Sequence, residues 1–187
     1  MGHGGDVVHE LTADHDEVRG FFADLANATP AEERRTLVDL LTIELVRHSV
    51  AEEEYLYPAV RKHVPGGDAI ADREIADHAR VEVVLKELEA VDAAGPEFDR
   101  MVADLRNEVL EHIRDEEANL FPALRRACDK EVLHELGDRI RLAKKLAPTR
   151  PHPGKPSEPP ANKLLAPGLG LVDRARDFVS GRGRTGS

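Results

Sequence analysis

The chain has 187 residues, enough for one domain with a full apolar core and a tail. Aromatics make up 4% of it, Trp is absent and 33% of the residues are charged, a profile that suits helices and argues against a β-sandwich. The formal charge of −10 argues against a nucleic-acid partner, because phosphate binding rests on Lys and Arg, and the single cysteine, Cys128, excludes an internal disulfide.

The start, Met1 to Asp6, has no basic patch leading into an apolar run, so no signal peptide is expected. No stretch approaches the roughly 18 apolar residues of a membrane span, and a soluble, cytoplasmic protein with no membrane partner is expected. Apolar residues Val7, Leu11, Val18, Phe22 and Leu25 recur at helical spacing and predict a first helix from about Asp6, its cap, to Ala28. His15 lies on that stripe and points at the core, while Asp14, Asp16, Glu17 and Arg19 are expected on the other faces.

Thr29-Pro30-Ala31-Glu32 reads as a helix start, with Thr29 capping, Pro30 in the first position and Glu32 closing a capping box. The inward stripe of this second helix reads Leu37, Leu41, Glu44, His48, Glu52, Tyr55 and Ala59. It opens apolar and then places ionisable residues on the buried face, which something must compensate. Pro58 is expected to kink or weaken the helix before the break at Pro65-Gly66-Gly67. A third helix from about Asp68 to Ala93 has Ile75, Leu85 and Leu88 as anchors, with His78 facing inward and Glu82 one turn on. The fourth, from about Pro96 to Ala127, repeats the second: Phe98, Met101 and Leu105, then Glu108, His112, Glu116 and Leu120.

The repeat extends beyond the motifs. Asp14-His15 matches Asp77-His78, Glu44 matches Glu108, and Pro58-Ala59 matches Pro122-Ala123, at an offset of about 63–64 residues. Two repeated helix pairs with short connections predict an all-α fold, an antiparallel up-down-up-down four-helix bundle. A further helix is expected over Asp129 to Ala147, with Val132, Leu133, Leu136, Ile140, Ala143 and Leu146 as its packing face. From Pro148 the chain turns Pro- and Gly-rich, so the domain is expected to span 1–147 and a tail 148–187. Leu164 to Val179 carries a weak amphipathic pattern, and the tail holds seven basic and three acidic residues, which suits folding back on the acidic bundle or meeting a protein partner.

His15, His48, Glu52, His78, Glu82, His112 and Glu116 thus converge on one interior, as metal ligands do in helical bundles. Uncompensated buried carboxylates cost several kcal/mol each by order of magnitude, and a cation of +2 or +3 reverses that balance. This many donors exceed what one zinc needs, so two metals fit better. Imidazole and carboxylate without thiolate suit iron or manganese, and Glu52 and Glu116 are the natural bridges. A ferritin-like oxidase would carry Glu-x-x-His rather than His-x-x-x-Glu.

The order of one histidine, then His-x-x-x-Glu, then one histidine, then His-x-x-x-Glu resembles the hemerythrin-like, or HHE cation-binding, family over roughly Asp6 to Ala127. The resemblance implies a non-haem di-iron centre, two iron ions bridged by two carboxylates and an oxo or hydroxo group. It implies His15, His48, Glu52, His78, His112 and Glu116 as ligands, and a small diatomic or peroxide ligand. Members bind oxygen, sense oxygen or iron, decompose peroxide or respond to nitric oxide. Oxygen-carrying members have a second histidine four residues after the one on the third helix, where this chain has Glu82. An anion there favours ferric iron, and Tyr57 as a phenolate would act in the same direction, where the fourth-helix equivalent is Phe121. Catalase- or peroxidase-like chemistry is therefore expected ahead of reversible oxygen carriage, with a sensor signalling through the tail as the alternative.

Beside these ligands, Glu44 and Glu108 are expected to hold the imidazole N–H groups. The other members of the runs Glu52-Glu53-Glu54 and Asp115-Glu116-Glu117 should form a solvated face, His3, His9, His63, His134 and His152 should lie at the surface, and Cys128 should be an inert helix-end residue.

Overall fold

The computed structural model describes residues 3–154, 169–173 and 176–177, and within them the only regular structure is helical. Helix α1 (Val7–Asn27) is followed by α2 (Ala31–Ala51), a five-residue π turn (Glu52–Leu56) and α3 (Tyr57–His63). Then come α4 (Gly67–Leu88), α5 (Pro96–Asp115), a second π turn (Glu116–Leu120), α6 (Phe121–Ala127) and α7 (Lys130–Leu146). Residues 31–63 and 96–127 are thus two long helical rods that pair with α1 and α4, giving the expected up-down-up-down four-helix bundle. Helix α7 packs outside it, across α1 and α2.

Several local signals act as read. Asp6 caps α1 by accepting from the His9 amide at 2.9 Å, Asp129 caps α7 through the Val132 amide, and Pro96 stands in the first turn of α5. Others do not. Pro30 rather than Thr29 holds the cap position of α2, and no side chain caps it. Helix α4 ends at Leu88 rather than near Ala93, and Leu146 is exposed where α7 was expected to pack. Pro148 to Gly154 carry no helix, residues 169–173 are helical, and the rest of the Leu164–Val179 segment lies largely outside the described residues.

The two π turns replace the expected kink. Pro58 and Pro122 have no amide hydrogen and press their rings on the turn before, so that turn widens to bonds spanning five residues. The Tyr57 amide donates to the Glu52 carbonyl, and the Phe121 amide to that of Glu116. The widened turn moves the inward stripe from Tyr55 to Leu56 and Tyr57, both fully buried.

Two apolar clusters fill the bundle. One gathers Val7, Leu11, Leu56, Tyr57, Val60, Phe121 and Leu124 with Leu133 and Ile140 of α7. The other gathers Val18, Phe22, Leu41, Leu45, Leu85, Phe98 and Leu105. His15 lies between Leu11 and Val18 on α1, and His48 between Leu45 and Leu56 on its rod, so a polar layer is clamped between two dry plugs.

The turn into α4 is close-packed. Gly66 adopts a left-handed conformation (φ 73°), and a Cβ on Gly67 would stand 2.1 Å from the Val60 carbonyl oxygen. Gly67→Ala is expected to destabilise the fold by roughly 1–3 kcal/mol. A lowered urea midpoint with an unchanged slope would show it, and an unchanged midpoint would refute the packing account.

Candidate metal centre

Four histidine rings meet in the polar layer as two pairs. His15 and His48 lie with ring centroids 5.0 Å apart, and His78 and His112 at 4.9 Å. Glu52 and Glu116, both fully buried, stand between the pairs. Glu52 reaches His48 Nε2 with Oε1 at 3.2 Å and His78 Nε2 with Oε2 at 3.3 Å. Glu116 Oε2 stands 3.3 Å from His15 Nε2 and 3.6 Å from His112 Nε2. Each carboxylate therefore faces one ring of each pair. The Tyr57 hydroxyl comes within 3.3 Å of Glu52 Oε2, 3.2 Å of Glu116 Oε1 and 3.1 Å of His78 Nε2.

The π turns produce this arrangement. His48 and Glu52 share a face because they are four residues apart, and the widened turn brings Tyr57, five further on, back to the same face. The second copy gives His112, Glu116 and Phe121. Phe121 stacks on His15 with centroids 5.6 Å apart, where its counterpart Tyr57 meets His78 at 5.4 Å.

Every ring presents Nε2 inward with a carboxylate facing Nδ1 from outside, hydrogen-bonded to it in three of the four. Glu117 meets His15 Nδ1 at 3.0 Å, Asp14 meets His48 Nδ1 at 3.2 Å and Glu53 meets His78 Nδ1 at 3.2 Å. Glu74 Oε2 stands 3.0 Å from His112 Nδ1. Such outer carboxylates fix the tautomer and raise the basicity of a ligand imidazole. Cations stand behind three of them: Arg19 on Glu117 at 2.6 Å, Arg73 on Glu74 at 2.7 Å, and Lys144 on Asp14.

Among the protein's own charges, the layer is strongly polarised. Burial opposes the positive charge of His78, yet Glu52 and Glu53 together push its pKa up to about 10. Burial opposes that of His48 too, and Glu52 and Asp14 outweigh it. Glu52 is held well below the usual carboxylate range despite burial, by His48 and His78. Burial, then Glu116 and Glu52, drive the Tyr57 phenol well above its ordinary value. The His15 hydrogen bond, against burial and with Arg19, holds Glu117 down to about 2.

The expected residues fare differently. His15, His48, Glu52, His78, His112, Glu116 and Tyr57 come together in one layer. Glu82 does not join them. The inward stripe of α4 is Ala71, Glu74, His78, Val81, Leu85 and Leu88, and Glu82, at its edge, accepts the His152 amide at 2.9 Å. Glu44 and Glu108 do not hold imidazoles: Glu44 faces Arg47, and Glu108 is exposed because Val109 takes the inward place. Asp14, Glu53 and Glu54 are buried rather than solvated, and Glu117 is half-buried. His3 is exposed as expected, although its ring meets Asp14 at 3.3 Å, whereas His152 is half-buried and meets Asp173 at 2.8 Å. The sequence did contain a signal for Glu53 and Glu117, since the doublets Glu52-Glu53 and Glu116-Glu117 recur at the repeat offset. Glu74 had no such signal, because its counterpart is Leu11.

The donor set fits metal ions. His15 Nε2, His48 Nε2, Glu52 Oε1 and Glu116 Oε2 are buried and make no hydrogen bond among the described residues, although they lie within a few ångström of one another. One group of potential ligand atoms comprises His15, His48, Glu52 and Glu116, and another Glu52, His78 and His112. Buried polar atoms left without partners are costly, and a cation between them would remove that cost. A divalent metal at 100 times its dissociation constant is expected to stabilise the fold by about 2.7 kcal/mol and raise the melting temperature by roughly 5–10 °C. Calorimetry with added ferrous ion and after chelation tests this, and identical transitions would refute it.

Residues 6–124 match the family model described as the hemerythrin HHE cation-binding domain. An uncharacterised hemerythrin-like protein of Schizosaccharomyces pombe is 25% identical over 89% of this chain and 82% of its own length. A DNA nickase of Nostoc is 30% identical over 72% of this chain, which spans 38% of that protein. The crystal structure of an HHE cation-binding domain-containing protein from Mycobacterium kansasii superposes with a TM-score of 0.65 over 75% of this chain and 85% of that one, at 24% identity.

Proposed function

We propose that this chain, which belongs to the hemerythrin HHE cation-binding family, holds two iron ions and decomposes peroxide, in preference to carrying oxygen reversibly. In this reading His15 and His48 would hold one ion and His78 and His112 the other, with Glu52 and Glu116, each facing one ring of each pair, available to both. Two such ions, when bound, supply the redox change that disproportionation of peroxide requires. The rest is work for the chain's own side chains.

The observation that carries the preference is the Tyr57 hydroxyl, placed in the layer within 3.3 Å of Glu52, His78 and Glu116. It puts a phenol, which could serve as an oxygen donor to a metal or as a proton donor to peroxide, where the repeat otherwise has Phe121. Glu82 contributes nothing to this preference, since that carboxylate is engaged by the His152 amide. A missing imidazole remains at its position all the same. Access is supplied beside His112, which lines a groove of about 940 Å³ between α4 and α5 together with Arg73, Asp77, Val81, Asp115 and Ala118. The apolar plugs on either side keep bulk water out.

A second reading is favoured by one contact. Thr149, Arg150 and His152 bond Asp173 and Asp177 of the tail, and the His152 amide reaches Glu82, one turn from His78. A tail docked so near the layer suits a sensor of oxygen, redox or iron state that signals through it. The charge of −10 weighs against a DNA partner like that of the nickase. No helix among the described residues is long and apolar enough to cross a membrane. A role in oxidative stress follows from the peroxide reading.

The iron-loaded chain is expected to contain about two irons and to evolve oxygen from peroxide, with the rate in His112→Ala lowered by at least about 10–100-fold, the scale on which losing even an outer partner of a metal ligand acts. Loading far below two irons, or a stable reversible oxygen adduct, would sink the proposal. Separately, Tyr57→Phe is expected to abolish a visible phenolate-to-iron absorption band if the phenol ligates. A wild-type spectrum already lacking that band leaves Tyr57 as a proton donor only.

A further inference from the structure

Asp14 is the one outer carboxylate whose cation comes from outside the bundle. Its Oδ2 takes His48 Nδ1 at 3.2 Å, while its Oδ1 meets Lys144 Nζ and, at 3.3 Å, His3 Nε2. Lys144 stands on α7, beyond residues 6–124 that match the family. Its side chain is 6% exposed, and its second partner is the fully buried Glu10, at 3.1 Å. Arg19 and Arg73, behind Glu117 and Glu74, are 38% and 54% exposed. Water and salt screen those two charges far more than they screen a buried one. Two turns earlier on α7 the helix backbone lies close against the start of α1: a Cβ on Gly137 would stand 2.8 Å from the Gly5 carbonyl oxygen.

We propose that Lys144 is a positioning residue for the metal centre, fixing Asp14 and through it the ring of His48, and setting how strongly that imidazole donates to its metal. An ammonium on Oδ1 draws charge from the carboxylate, so Asp14 accepts less strongly from His48 Nδ1–H and Nε2 becomes a weaker donor. The unscreened positive charge also disfavours the ferric state directly. The site on the His15–His48 side is thereby tuned differently from the His78–His112 side, where Glu53 meets no Lys or Arg among the described residues and its Oε2 makes no hydrogen bond among them. The tuning helix is an addition to the bundle rather than part of it.

This inference rests on the iron reading above, and its test separates the two. Reduction potentials are measured by spectroelectrochemical titration on the full iron-loaded chain, with iron content determined alongside. Lys144→Met is expected to raise the ferric-to-ferrous ratio at a given potential about tenfold, a downward shift of about 59 mV for one electron. Lys144→Arg should restore most of it. Arg141→Met removes a charge from the same helix, one that touches Glu10 and not Asp14, and should leave the potential unmoved. If Lys144→Met does not fold, Glu10→Gln/Lys144→Met removes both members of the buried pair while still stripping Asp14 of its ammonium, and the same shift is expected. An unmoved potential in an iron-replete Lys144 variant overturns the inference alone. So does an equal shift in Arg141→Met. A wild-type chain that takes up no iron overturns the iron reading, and this inference with it.

Discussion

Two carboxylates, Glu52 and Glu116, lie with no exposure to water at the middle of a helical bundle, and the rest of the layer follows from that fact. An ionised carboxylate in a dry interior is costly unless charge of the opposite sign reaches it. Four imidazoles surround the pair, and each faces a further carboxylate at its outer nitrogen, hydrogen-bonded to it in three of the four. Those outer carboxylates need partners in turn, and Arg19, Arg73 and Lys144 supply them for three of the four. Charge thus alternates in shells from the centre outward, and the apolar clusters above and below keep the shells from dissolving into solvent.

The layer has an approximate two-fold symmetry inherited from the repeated helix pair, and the departures from it carry the chemistry. Tyr57 stands against Phe121, so one half has a phenol at the centre and the other a ring stacked on His15. The outer partner of His48 is Asp14, but its repeat counterpart Asp77 pairs with Arg80, and Glu74 serves His112 instead. Helix α7 packs mainly across α1 and α2, which places Lys144 on one half. A symmetric scaffold thereby presents two unequal pairs of imidazoles.

Much of this was legible in the sequence. The bundle and the six residues His15, His48, Glu52, His78, His112 and Glu116 could be read because their spacing matches the helical period and recurs at one offset. Glu44, Glu108 and Glu82 were misplaced for a common reason: four-residue stepping drifts around a helix, so a stripe extended by fours leaves the core face within two turns. The real stripes alternate three and four, through Leu41, Leu45 and His48 on α2 and through Glu74, His78, Val81 and Leu85 on α4. The π turns were hidden because a proline announces a disturbed helix without saying whether it kinks or widens. Lys144 was illegible, since its meeting with Asp14 spans 130 residues and depends on how α7 lies across the bundle.

The outer carboxylates have a consequence for how the chain assembles. Glu117, from the second helix pair, orients His15 of the first, and Glu53, from the first, orients His78 of the second. Each half therefore lends the other the group that sets a ring's tautomer. Neither half alone can present both of its histidines correctly, so the metal face comes into being only when the halves dock. Truncating the chain at the Pro65-Gly66 turn would yield two helical hairpins, each with its His-x-x-x-Glu intact and one ring left without its guide. The duplication that looks like redundancy along the chain is a reciprocal dependence in space, and it couples the formation of the site to the docking of the two halves.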